Sequence, residues 1–118
     1  MRKGADIQSR VFQFACDVVA LHDELVRRGG SARDMGRQLI RAATSIGANL
    51  EEADAGQSRA DFISKCAIAL KEAREALYWL RLLRATNKLD ASVDALVHEA
   101  DRIVAVITTI LKKTKGEA

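Results

Sequence analysis

An all-α fold follows from three features of the 118-residue sequence. It contains no proline, its apolar residues recur every three or four positions in four successive stretches, and short polar or glycine-bearing breaks separate those stretches. Aromatic residues make up only 4% of the chain. That argues against a β-sandwich or barrel, whose strands are rich in aromatics and whose turns recur about every dozen residues. The length suits one domain, 1–118, large enough to bury a core without staples. The expected architecture is an antiparallel up-down-up-down four-helix bundle, with helices at about 6–28, 32–55, 59–85 and 91–113. At 1.5 Å per residue such helices run about 33–40 Å.

Residues 1–5 read as a frayed leader. In the first helix Ile7, Val11, Phe14, Val18, Leu21 and Leu25 share one face. A second stripe, Phe12, Val19 and Val26, repeats at heptad spacing on an adjacent face. A monomeric bundle has no use for that stripe, so it reads as a subunit contact. Gly29 and Gly30 end the helix. Ser31 with Asp34 then offers a capping box to open the second helix at Ala32. The apolar side of this helix is Leu39, Ile40, Ala43, Ile46, Gly47 and Leu50. Its run of small residues, 42–48, predicts a close crossing with a neighbour. Gly47 costs about 1 kcal/mol against alanine in mid-helix, which such a contact would offset.

The third helix, opened by Ser58 and Asp61 as a capping box, lies in the longest run without glycine. Phe62, Cys66, Ala69, Ala73, Leu77 and Leu80 form its main stripe. Ile63, Ala67, Leu70, Leu82 and Leu83 flank it, and Tyr78 and Trp79 widen it further. An arc this broad predicts neighbours on more than one side, and places Tyr78 and Trp79 in the subunit contact. A loop at 86–89 leads to the fourth helix, capped by Asp90 or Ser92. Val93, Leu96, Val97, Ala100, Ile103, Val104, Ile107 and Ile110 are its core side. Lys112, Lys113 and Lys115 complement its C-terminal dipole.

Little in the chain points to catalysis. Cys16 and Cys66 lie fifty positions apart in apolar helical contexts, so both read as core residues and not as a disulfide or zinc pair. His22 and His98 have Val19 and Ala95 three residues earlier, which excludes the Glu-x-x-His pattern of di-iron bundles. There is no phosphate-cradling glycine loop and no nucleophile elbow. No enzymatic activity, metal or cofactor is expected. The opening residues lack an apolar run before Asp6 and Gln8, and no stretch approaches the roughly 20 apolar residues of a membrane span. The cytoplasm is the expected compartment, with no membrane partner.

Two polar features remain. Arg41, Ser45, Asn49 and Glu52 share one face of the second helix. An antiparallel third helix would set Asn49 near Lys65, and Arg41 near Glu72 or Glu75. That constellation reads either as an ion-pair network fixing helix register or as a ligand or RNA-phosphate site. The second feature is charge. The net charge is +3, and Arg27, Arg28, Arg33 and Arg37 would meet Arg81, Arg84 and Lys88 at one pole, offset by Asp90 and Asp94. This pole is a candidate nucleic-acid surface, with a solvated end as the alternative.

The run RAATSIGANLEEADAGQSRADF, followed by KEAREALYWLRLL, resembles the four-helix-bundle family of 23S rRNA intervening-sequence proteins, which are small bacterial proteins. The resemblance lies in Arg41-Ala42-Ala43, Ser45-Ile46, Ala48-Asn49-Leu50 and Glu52, with Phe62 after the turn. The chain departs from the commoner pattern in having Gly47 where proline is frequent and Ala53 where glycine is frequent. The resemblance implies an antiparallel bundle that assembles as a ring-shaped homopentamer with no known catalysis. It carries over Arg41, Ser45, Asn49, Glu52, Phe62, Glu72 and Tyr78 as motif positions. A relative of the fold serves diversity-generating retroelements as an accessory to reverse transcriptase, binding protein and nucleic acid through a basic surface. The resulting expectation is a homo-oligomeric accessory to RNA or to a nucleic-acid-processing protein. The rival expectation is a protein–protein adaptor ring without nucleic-acid affinity.

Overall fold

The computed structural model describes residues 5–87 and 89–116. Residues 1–4 of the expected leader and Lys88 of the expected basic pole lie outside them. Four helices fill nearly all of the described chain: α1 (Ala5–Arg28), α2 (Gly30–Ala55), α3 (Arg59–Thr86) and α4 (Ala91–Thr114). No strand occurs among the described residues.

The reversal from α1 to α2 takes a single non-helical residue. Gly29 adopts φ 75°, and its N–H donates to the Leu25 and Val26 carbonyls at 3.2 Å each. Its own carbonyl accepts from the Arg33 N–H at 3.2 Å. Gly30 follows at φ 56°. Only glycine adopts two such conformations in succession without strain. The chain has therefore turned before Ser31 is reached. The expected capping box at Ser31 and Asp34 does not form; the N-cap of α2 is Gly29, with no side-chain cap. The other starts use side chains. Ser58 Oγ accepts from the Asp61 N–H at 3.0 Å, and of the two candidates for α4, Asp90 is the cap, its Oδ1 accepting from the Ser92 N–H at 2.9 Å. The hydroxyl and amide of Ser92, with help from Arg28, hold the Asp90 carboxyl below its ordinary range.

Successive helices are neighbours and α4 returns to α1, while the diagonal pairs stay more than 8 Å apart between Cα atoms among the described residues. The register is antiparallel: Gly36 of α2 faces Leu25 of α1, and Gly47 faces Val11. Along the next seam Arg41 faces Glu72 and Glu75, and Glu52 faces Lys65. The bundle measures 44 × 24 × 23 Å. Its centre is filled by Phe14, Leu25, Leu39, Ile46, Leu80, Leu83, Ile103 and Ile107, each worth about 1.5–3 kcal/mol once removed from water. The first stripe of α1 is buried throughout.

The buried side of α3 is Cys66, Ala69, Ala73, Ala76, Leu80 and Leu83. Phe62 and Leu77, expected in its main stripe, are half-buried instead. Cys16 is exposed, contrary to expectation. It lies two positions beyond Phe14, about 200° around α1, and so faces away from the core. The small residues of α2 do accompany close packing: Ala42 and Ala43 of α2 and Ala69, Ala73 and Ala76 of α3 are all buried, and α2 packs more extensively on α3 than on α1. A Cβ on Gly47 would sit 3.4 Å from Val11 Cγ1, an ordinary contact, whereas one on Gly36 would lie 3.1 Å from Leu25 Cβ.

Candidate functional site

The face of α2 from Arg41 to Glu52 meets α3 through a chain of polar contacts. Arg41 Nη1 lies 3.3 Å from Glu72 Oε2, and Nη2 pairs with Glu75. Ser45 Oγ donates to Glu72 Oε2 at 3.2 Å. The Asn49 amide turns back one helical turn, donating to the Ser45 carbonyl at 2.9 Å and to its Oγ at 3.1 Å. Lys65 pairs with Glu52 at 2.9 Å. The indole N–H of Trp79 donates to Glu75 Oε2 at 3.2 Å. Partial burial alone would raise the Glu75 pKa, but the bonds from Arg41 and Trp79 bring it below the ordinary carboxylate range. Its hydrogen bond to Glu75 outweighs desolvation and raises the pKa of Arg41. The guanidinium is thus engaged by two carboxylates, and the arrangement ties α2 to α3.

At the pole where α1 ends, α2 begins and α3 ends, Arg27, Arg28, Arg37, Arg81 and Arg84 are exposed and Arg33 is half-buried. Three of the six have a carboxylate: Arg28 with Glu24 at 3.6 Å, Arg33 with Asp34 at 3.4 Å and Arg84 with Asp94 at 3.5 Å. Arg27, Arg37 and Arg81 form no ion pair among the described residues. Two further cations, Lys71 and Arg74, continue down the outward side of α3 from Arg81 at three- and four-residue spacing, with Tyr78 between them. Their spacing is legible in the sequence, but along a helix face and not at a helix end.

The exposed large apolar side chains among the described residues are Phe12 and Val19 on α1 and Ile68 and Tyr78 on α3. Phe12 is 72% exposed and Val19 41%, while Val26 is half-buried. Phe12 borders a shallow groove of about 350 Å³ between α1 and α2, lined also by Val11, Ala15, Gly47 and Ala48. Tyr78 is 56% exposed and stands edge-on to the half-buried Trp79, ring centroids 5.3 Å apart and planes at 74°. Because α1 and α3 are diagonal, these clusters belong to different sides of the bundle. His22 Nδ1 lies 3.1 Å from Asp23 Oδ1, and His98 is exposed. Among the described residues no three His, Cys, Asp or Glu side chains gather as a metal site would require. No helix among the described residues is long and apolar enough to cross a membrane.

A short antiparallel bundle with a cross-linked α2–α3 seam defines a class of small all-α proteins. Within it, the model of the family described as 23S rRNA-intervening sequence protein matches residues 3–109, and the chain belongs to that family. The crystal structure of a protein with unknown function from the S23 ribosomal protein family of Bacteroides thetaiotaomicron VPI-5482 is similar to it. That structure is 37% identical with a TM-score of 0.83, over 94% of this chain and 99% of that one. No curated protein matches.

Proposed function

We propose that the chain is a non-enzymatic, homo-oligomeric accessory to RNA, which meets phosphate backbones through its arginine pole. The observation that carries this reading is the set of Arg27, Arg37 and Arg81, three exposed guanidiniums at one pole with no ion pair among the described residues. Such cations gain on meeting a phosphate backbone because they release its condensed counterions. Self-association would cover Phe12 and Val19 on α1 and repeat the pole around the assembly. Five copies is the number the family resemblance implies. The other reading is an adaptor ring that binds protein alone, favoured by the exposure of Phe12 itself.

Anisotropy of a labelled RNA titrated at increasing salt separates the two. The accessory reading expects affinity that falls steeply with salt and drops further in the Arg33→Ala/Arg37→Ala variant. Absence of binding at low salt leaves the adaptor. Light scattering tests the assembly: a multiple of 12.9 kDa is expected, reduced by Phe12→Ser, and a 12.9 kDa particle at micromolar concentration removes the oligomer.

A further inference from the structure

Tyr78 stands in a setting unlike that of the other exposed aromatic. Phe12 borders a groove lined mainly by small and apolar residues, with Gln8, Thr44 and Glu51 also present and no cation. Tyr78 has Arg74 one turn before it, Arg81 one turn after it and Lys71 beyond Arg74, all exposed. From Lys71 to Arg81 this line covers about 15 Å of helix. Its earlier outward positions, Ala60, Ser64 and Ala67, are exposed and uncharged. Arg74 and Arg81 form no ion pair among the described residues. The nearby carboxylate that Lys71 influences is Glu75, which Arg41 and Trp79 already hold.

The ring is also braced. Arg41 fixes Glu75, Glu75 accepts from the Trp79 indole, and Tyr78 packs edge-on against that indole. Leu82, one turn on, is half-buried, and the exposed side chains on both sides of the ring are cations, which suit a polyanion. An anchored aromatic flanked by arginines is the arrangement on which unpaired bases stack, since every base has a π-face. A duplex keeps those faces inside its own stack, and sequence-tolerant stacking of this kind selects single strands.

We propose that Tyr78, flanked by Arg74 and Arg81, is a stacking platform for a base of single-stranded RNA, with the two arginines taking the adjoining phosphates. The platform rests on the RNA-accessory reading and extends it from the pole down the outward side of α3. It assigns Tyr78 to RNA, and leaves the subunit contact to α1.

The test compares a fluorescein-labelled single-stranded U20 RNA with a U20·A20 RNA duplex, by anisotropy at one fixed salt concentration, using the whole chain. Tyr78→Ala is expected to weaken U20 binding about tenfold, the loss of one stacked base, and to leave the duplex unchanged. Tyr78→Phe keeps the π-face and is expected to bind as the parent does. Arg74→Gln, at an exposed position, is expected to weaken U20 in the same direction and guards against a folding defect in Tyr78→Ala, which circular dichroism would reveal. Equal losses on both RNAs, or parent-like U20 binding by Tyr78→Ala and Arg74→Gln, overturn the platform. If Arg33→Ala/Arg37→Ala abolishes binding while Tyr78→Ala is silent, the pole reading stands and the platform falls. The reverse pattern keeps the platform and removes the pole. A parent protein that binds neither RNA overturns both.

Discussion

Helix α2 meets its two neighbours by different means. Towards α1 it presents Gly36 and Gly47: Leu25 fills the space that a side chain at Gly36 would take, while Val11 leaves room for a Cβ at Gly47. Towards α3 it presents Arg41, Ser45 and Glu52, which bridge the seam by charge and hydrogen bonds, with Asn49 holding Ser45 from within α2. The first seam depends on fit. It is indifferent to salt and pH and intolerant of added volume. The second rests on partly exposed ion pairs, each worth about 0.2–1 kcal/mol, and it depends on protonation. Both seams bury apolar side chains as well, and the α2–α3 pairs are expected to set the alignment of helices already held by Leu39, Ile46 and Leu80.

Adding volume at Gly36 is the strongest way to break that contrast. Gly36→Val places a Cβ 3.1 Å from Leu25 Cβ and 3.2 Å from its Cδ1, before its two methyls are counted. Overpacking of this kind costs about 1–3 kcal/mol, and the melting temperature is expected to fall by roughly 4 °C or more per kcal/mol. An unchanged melting temperature would mean that the seam yields and the fit is not its source of strength.

Acid acts on the other seam. The Glu75 pKa is lowered in the folded chain, so its contribution is present above the unfolded carboxylate value of about 4.3. It is lost as pH falls through the folded value. Thermal melts are expected to hold level from pH 7 to about 5 and to decline below that. Glu75→Gln is expected to cost up to about 1 kcal/mol at pH 7, and to flatten the acid decline. A variant with the parent's acid slope would place the pH dependence on other carboxylates.

The smallest effect belongs to Gly47→Ala. The new methyl makes an ordinary 3.4 Å contact with Val11, and alanine favours helix by up to about 1 kcal/mol. The melting temperature is expected to stay level or rise. A clear loss would show that α1 and α2 are closer at Gly47 than at Gly36.

The two glycines also mark where the sequence was legible. Periodicity placed the first stripe of α1 and most of the core side of α4, where Val97, Val104 and Ile110 are half-buried and Leu111 is buried in addition, because burial follows the phase of a helix and phase is local information. The polar face of α2 was legible for the same reason, and a short antiparallel turn was enough to point Arg41 at Glu72 and Glu75. Gly47 drew attention because small residues surround it, yet a close approach depends on the partner side chain, which lies on another helix. Gly36, between Met35 and Arg37, gave no composition signal. The expected cap at Ser31 matched a pattern that the two preceding glycines had already pre-empted. Cys16 was misplaced by its apolar neighbours, although its phase against Phe14 and Val18 points outward. Lys71, Arg74 and Arg81 needed only that same phase, read along the outer side of α3.

The one-residue joint at Gly29 leaves α1 and α2 no slack. With Gly29 and Gly30 both at positive φ, the joint holds the two helices antiparallel, and a residue inserted there would shift the register that sets Leu25 against Gly36. Inserted residues belong instead in the 87–90 link, where a reporter could be carried without prying two helices apart.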